Sequence, residues 1–240
     1  MRTLGIIGGV SWHSTAQYYK LLNESVARSL GHRHSARIVL SSVDFADLLE
    51  WQKDKTNKAL IDAFLKEGQR LKAAGCQSFI IASHTLTWLG DIVEAEIGIK
   101  HISLYDSIFN KLRLLGATRV GLTGTRYTMQ DPVYRAQYER AGFKIAIPHQ
   151  PHLTRTASIV YNELVQGIFL PESMNEFAKC FENLVSQGVD AIVLGCTEIG
   201  LLISSREWAS KTSSGTRSIP MLDTIETHAT NCVGWMLAED

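Results

Sequence analysis

Ala191-Ile192-Val193-Leu194-Gly195-Cys196-Thr197-Glu198-Ile199-Gly200 decides how this chain reads. Four apolar residues form a buried strand that stops at a glycine. The strand's carboxyl end then presents a thiol, a hydroxyl and a carboxylate. In open α/β sheets, ligands bind beyond the carboxyl ends of strands. Cys196 is therefore the first candidate for chemistry. A second stretch, Phe79-Ile80-Ile81-Ala82-Ser83-His84-Thr85, has the same form but carries Ala82 in the place of a cysteine.

Working outward, strands alternate with helices. Strands are expected at Leu4–Gly9, Ala36–Ser42, Phe79–Ala82 and His101–Leu104. Helices are expected through about Ser29, over 46–75, 88–97 and 106–115. The pattern then restarts at Arg119–Thr125, with strands at Phe143–Ile147, Ala191–Cys196 and Ile219–Leu222. Helices fall at about 130–141, 155–167, 171–187 and up to 237. Leu4 pairs with Val120 and Ala82 with Cys196 at nearly equal spacing, which indicates an internal repeat. The alternation predicts an α/β fold of two pseudo-symmetric lobes, each a mostly parallel sheet flanked by helices. The expected lobes are 1–103 plus 219–240, and 104–218, with Ala82 and Cys196 on opposite walls of one cleft. Ser204–Ser218, rich in Ser, Lys and Thr, reads as a mobile surface loop.

Composition narrows the function classes. The 240 residues are 45% hydrophobic and 20% charged, with 24 basic and 24 acidic side chains. Zero net charge gives no electrostatic case for nucleic acid or an anionic membrane. No apolar run reaches the roughly 20 residues that span a bilayer. The N-terminus reads as a first strand rather than a signal peptide. Cys76, Cys180, Cys196 and Cys232 are widely spaced with no CxxC pair, so a metal or redox motif is unsupported and a reduced, cytoplasmic setting is expected. The Gly8-Gly9 turn is not GxGxxG, so no dinucleotide fingerprint is present. It either lets a ligand approach the backbone or is a tight turn only. Ser11 or Ser14 can cap the helix that follows.

Several segments together resemble the aspartate/glutamate racemases that work without pyridoxal phosphate. They are LGIIGGVSWHST (4–15), HSA (34–36), SVDF (42–45), GTRYTM (124–129), NELVQG (162–167), LGCTEIGLLI (194–203) and DTIETHA (223–229). LGCTEIGLL is the most specific. The resemblance covers almost the whole chain. It implies a two-lobed fold with the active site in the inter-lobe cleft, one cysteine from each lobe, a homodimer, and no metal or organic cofactor. One cysteine removes the α-proton of an amino acid while the other protonates the opposite face. Such a thiol must become a reactive thiolate, and the carbanion-like state needs hydrogen bonds to the α-carboxylate.

The resemblance assigns Cys196 as the retained acid/base and Thr197 as a carboxylate donor. Glu198 either orients the thiol or is a helix N-terminal carboxylate. The family's first cysteine opens a Cys-Thr-Asn-Thr segment, where this chain has Ala82-Ser83-His84-Thr85. Ala82 marks the missing cysteine and cannot carry a proton. Ser83, His84, Leu86 and Ala82 depart together, which argues for natural divergence rather than one engineered change. His84 is either structural, a carboxylate ligand when protonated, or a substitute base. Ser83 and Thr85 are candidate carboxylate ligands, or hydroxyls that satisfy loop backbone. Val10 and Gln52 are candidate substrate contacts. Arg155 is either a cation for a side-chain carboxylate or an exposed helix charge. Trp12 and Phe45 are expected in the wall or core, and Cys76, Cys180 and Cys232 in packing. His228 fits either the family stretch or a buried, hydrogen-bonded core.

Three functions compete. The first is α-proton transfer on aspartate, glutamate or a related amino acid. The second is a single-cysteine decarboxylase, in which losing carbon dioxide makes the carbanion and Cys196 only reprotonates it. The third is a catalytically impaired protein that binds acidic amino acids.

Overall fold

A computed structural model describes residues 1–240 apart from 55, 204–206, 213–214 and 240, and without the side chains of 211, 212 and 215. Contacts divide the chain into two units, Met1–Ser107 with Ile225–Asp240, and Ile108–Thr224.

In the first unit the strands are β1 (Leu4–Gly8), β2 (Ile38–Ser42), β3 (Ser78–Ile81) and β4 (Lys100–His101), in the order β2-β1-β3-β4. Every pair is parallel. β1 and β3 are buried along their whole length, and apart from Ser78 their side chains are apolar on both faces. The helices are α1 (Trp12–Leu30), α2 (Phe45–Trp51), α3 (Lys58–Ala73), α4 (Leu89–Ile97) and α5 (Leu104–Leu114), which crosses the unit boundary. Ser11 caps α1 by accepting the Ser14 N–H at 3.4 Å. Tyr18, Leu22 and Val26, four residues apart, form its buried stripe. The expected single helix over 46–75 is two helices. The Asp54 carboxylate takes the Thr56 N–H at 3.0 Å and the Ala59 N–H at 3.2 Å, a local turn that competes with helix.

The second unit holds β5 (Arg119–Thr123), β6 (Lys144–Ala146), β7 (Ala191–Leu194), β8 (Glu207–Thr212) and β9 (Gly215–Asp223), in the order β6-β5-β7-β9-β8. Its helices are α6 (Arg126–Gln130), α7 (Pro132–Arg140), α8 (His152–Asn162), α9 (Pro171–Ser186) and α10 (Ile199–Leu202). β6, β5, β7 and β9 run parallel and repeat the strand order of the first sheet. The internal repeat read from the sequence is thus a repeat of topology. α8 ends earlier than the expected 155–167 helix: Glu163 leaves helical geometry, and Leu164–Gln166 is a 3-10 turn.

Two expectations are corrected at the C-terminal end. The strand over 219–222 belongs to β9 and pairs with β7 in the second sheet, so only α11 (Thr224–Leu237) returns to the first unit. The unit boundaries accordingly fall at 107/108 and 224/225 instead of 103/104 and 218/219. The described part of Ser204–Ser218 is not a loop but the antiparallel β8–β9 hairpin. Glu182 of α9 fastens it by accepting from Trp208 Nε1 at 2.9 Å and Ser210 Oγ at 2.6 Å. Polar residues on an edge strand hid that alternation. Residues 204–206 and 213–214 lie outside the described residues.

α11 closes the first core through Ile225, Ala229, Cys232, Val233 and Met236, packed with Leu4, Tyr18, Leu22 and Ile80. His228 lies among them. Its Nε2 is 2.8 Å from the Ile102 carbonyl, which can only accept, so Nε2 carries the proton. Nδ1 then accepts from the Tyr18 hydroxyl at 2.8 Å. Burial is the main cause that pushes His228 down to about 3.

Candidate active site

The loop after β7 is locked before it reaches Cys196. The Gly195 N–H donates to the Thr123 carbonyl of β5 at 2.7 Å. Thr224 Oγ1 donates to the Leu194 carbonyl at 3.2 Å, and Thr128 Oγ1 to that of Gly195 at 3.4 Å. A Cβ at position 195 would stand 2.7 Å from the Thr123 carbonyl oxygen and 2.8 Å from the Thr128 methyl. Glycine is the residue that allows this approach. The Ile199 N–H then donates to the Cys196 carbonyl at 3.1 Å and starts the turn into α10.

Cys196 is 7% exposed and Glu198 4%. The thiol donates to Glu198 Oε2 at 2.9 Å, and Thr197 Oγ1 donates to the same oxygen at 2.6 Å. Burial, then the charge and hydrogen bond of Glu198, raise the Cys196 thiol well above its ordinary value. Backbone N–H groups of Glu198 and Thr197 act the other way by favouring the thiolate. The raised thiol thus sits in hydrogen-bond contact with a carboxylate, and two backbone N–H groups favour the charged sulfur. Such a pair can give a proton, and can take one after passing its own to Glu198.

In the first unit, the Ala82 N–H donates to the Ile7 carbonyl at 2.9 Å and extends β3 by one residue. Ala82 is fully buried in the same cluster as Ile80 and Ile102. Ser83 Oγ accepts the Leu86 N–H at 3.3 Å and lies 3.5 Å from Thr85 Oγ1, so Ser83 shapes the loop. The His84 ring is buried and meets the Tyr105 ring edge-on at 5.8 Å. The β1 turn is built as tightly. The Gly9 N–H donates to Thr15 Oγ1 at 2.9 Å, and Gly9 has φ +90° with the Val43 carbonyl 2.0 Å from where a Cβ would stand. Ser11 holds φ 58°, a left-handed conformation uncommon outside glycine. Val10 joins one apolar cluster with Leu48, Trp51 and Leu86, so the β1 turn, α2 and the β3 loop share a core. Gln52 follows at the end of α2 and is exposed.

Other expected residues sit differently. Arg155 is engaged: its guanidinium pairs with Glu176 at 3.1 Å and ties α8 to α9. Trp12 is 66% and Phe45 41% exposed, which removes both from the core. Cys76, Cys180 and Cys232 are buried free thiols, and burial raises each, Cys180 to about 12. Unlike Cys196, none of them has a carboxylate as hydrogen-bond partner among the described contacts. Among the described residues no three His, Cys, Asp or Glu side chains group to hold a metal ion, and no helix is long and apolar enough to cross a membrane.

Thr128 and Tyr105 were not among the residues singled out from the sequence. Thr125 and Thr128 were visible as a cap pattern in GTRYTM: Thr125 Oγ1 accepts the Thr128 N–H at 3.0 Å. Nothing in the sequence paired Tyr105 with His84.

Two α/β units of matching strand order carry, in the second, a thiol–carboxylate pair at the carboxyl end of a central strand. The chain belongs to the Asp/Glu/hydantoin racemase family, whose family model matches residues 7–232. It is similar to a candidate Asp/Glu racemase from Yersinia pestis at 32% identity over 99% of this chain and 100% of that one, with a TM-score of 0.87. An aspartate racemase homologue from Pyrococcus horikoshii shares 22% identity over 99% and 100%, with a TM-score of 0.82. An arylmalonate decarboxylase shares the fold at 15% identity over 99% and 94%, with a TM-score of 0.54. Family and neighbours support a racemase-type enzyme.

Proposed function

We propose that this chain transfers an α-proton of aspartate, glutamate or a related amino acid, with Cys196 as its one acid/base thiol. The observation that carries the reading is the 2.9 Å contact between Cys196 Sγ and Glu198 Oε2. Glu198 takes the thiol proton, and the backbone N–H groups of Thr197 and Glu198 stabilise the thiolate. The thiolate removes the Cα proton from one face. Ser83, His84, Thr85 and Thr197 supply donors to the α-carboxylate, where negative charge gathers as the carbon loses its proton. Val10 and Gln52 contact the substrate. Arg155 is shared with Glu176, which weakens it as the counter-charge of a side-chain carboxylate. Ala82 offers a methyl where a second thiol would return a proton to the opposite face. Exchange is therefore confined to the face that Cys196 serves. The same reading takes the protein to be a homodimer in the cytoplasm, and sedimentation of the purified chain tests the first.

Incubation of each enantiomer of aspartate and glutamate in D2O tests the reading. Deuterium should enter one enantiomer only, and not in Cys196→Ser. No exchange with any amino acid would refute it and leave a protein that binds without turnover.

A second reading is favoured by the raised Cys196 thiol, with alanine rather than cysteine at position 82. A thiol that keeps its proton is suited to donation, and a decarboxylase asks for no more. The C–CO2 bond of a substituted malonate breaks, its electron pair stays on Cα, and Cys196 supplies the proton, which solvent then replaces. Carbon dioxide release with formation of one product enantiomer would select this reading.

A further inference from the structure

The loop that carries Cys196 is gripped at both ends by two consecutive residues, Asp223 and Thr224. In the β7–β9 register Leu194 stands beside Asp223, so the loop leaves β7 next to the end of β9. Thr224 is buried, and its Oγ1 donates to the Leu194 carbonyl at 3.2 Å. The N–H of the same peptide unit, on Gly195, donates to the Thr123 carbonyl at 2.7 Å. A peptide unit is planar, so bonds at its two opposite ends fix its orientation. The chain therefore enters Cys196 from one fixed direction.

At the other end Asp223 reaches Gly200 in α10. A Cβ on Gly200 would stand 1.8 Å from Asp223 Oδ2 and 2.8 Å from its Cγ, so the carboxylate occupies the space of the absent side chain. Gly200 has no positive φ, and glycine is a poor helix former. Its place inside α10 is explained by the room it leaves for Asp223. Between the two grips, the Ile199 N–H bonds the Cys196 carbonyl and the Leu201 N–H the Glu198 carbonyl, each at 3.1 Å. A displacement at Gly200 is therefore passed back to Cys196 and Glu198. Both gripping residues belong to the second unit and stand where the chain leaves it, since the boundary falls between Thr224 and Ile225.

We propose that Asp223 and Thr224 are the positioning pair of this site, holding the loop over 194–200 so that Glu198 Oε2 meets Cys196 Sγ. The assignment rests on the reading of Cys196 as the acid/base thiol and adds two residues that act on it through the loop. Gly200→Ala sets a methyl against the Asp223 carboxylate. It should lower kcat for α-deuterium exchange about tenfold to a hundredfold with KM little changed, because a small misplacement of a reacting group is costly. In an Asp223→Ala background the methyl has room, so the same substitution should cost about twofold or less. Thr224→Val, which loses the hydroxyl, should lower kcat about tenfold, and Thr224→Ser should restore it. Alkylation of Cys196 by iodoacetamide, with Cys196→Ser as background, reads the positioning without any substrate. Burial and Glu198 are the larger influences that raise the thiol, so a loosened loop should move the pH profile of alkylation to lower pH. Thr224→Val should show that shift and Thr224→Ser should not. Gly200→Ala should show it in the wild-type background and add none in Asp223→Ala. Melting followed by circular dichroism establishes that each variant is folded, and if Thr224→Val does not fold, the 200/223 pair carries the test. An equal cost of Gly200→Ala with and without Asp223, or an unchanged alkylation profile, would overturn the assignment. If wild type exchanges no amino acid, the proton-transfer reading fails and the assignment is read from alkylation alone. A Gly200→Ala shift that depends on Asp223 then supports it, and one that does not overturns it.

Discussion

Replacing Cys196 by serine and by alanine should separate chemistry from stability. In the wild type, Glu198 Oε2 is buried and accepts from both Cys196 Sγ and Thr197 Oγ1. Serine keeps an O–H donor near the same oxygen, whereas alanine removes it. A hydrogen bond to a charged group contributes about 1.5–3 kcal/mol. At about 2 kcal/mol, and about 2–4 °C per kcal/mol for a chain of this size, Cys196→Ala should melt roughly 4–8 °C below wild type. Cys196→Ser should melt close to wild type. Activity should divide differently. An alcohol is too weak an acid to form the charged base, so both variants should lose about 10²–10⁴-fold in α-proton exchange. Melting followed by circular dichroism and exchange followed by proton NMR read the two effects. Exchange within a few-fold of wild type in Cys196→Ser would refute the role of the thiol. Equal melting of both variants would refute the weight given to the Glu198 contact.

Three further outcomes follow from the same geometry. Glu198→Gln removes the charge that raises the Cys196 thiol, so its alkylation should reach a given rate at lower pH than in wild type, measured against Cys196→Ser as background. Ala82→Cys should add racemisation to one-sided exchange, read by chiral chromatography, and no gain would count against Ala82 as the missing partner. His228 is held neutral down to about 3 in the fold but takes a proton near 6.5 when unfolded. The unfolded state therefore binds more protons below pH 6.5, and stability is present above that value and lost as pH falls towards about 3, at up to about 1.4 kcal/mol per pH unit. His228→Gln should flatten that part of a denaturant-midpoint profile against pH, and an unchanged profile would contradict the burial account.

The apolar runs LGIIG and AIVL made the central strands legible, because strands covered on both faces carry no polar alternation. Gly195-Cys196 marked the reactive loop for the same reason: the chemistry sits where an apolar run stops. The β8–β9 hairpin was not legible, since its support comes from Glu182 on a helix distant in sequence. The break between α2 and α3 depends on one carboxylate, Asp54, that reads as an ordinary helix-surface charge. Arg155 looked available because a sequence does not display Glu176 across the next helix.

Proton exchange measured separately on the two enantiomers of the preferred acidic amino acid tests the central claim most directly. With one thiol, deuterium should enter the Cα of one enantiomer with its handedness kept, leave the other unlabelled, and disappear in Cys196→Ser. Labelling of both enantiomers at similar rates with inversion, or labelling that survives in Cys196→Ser, would contradict the account.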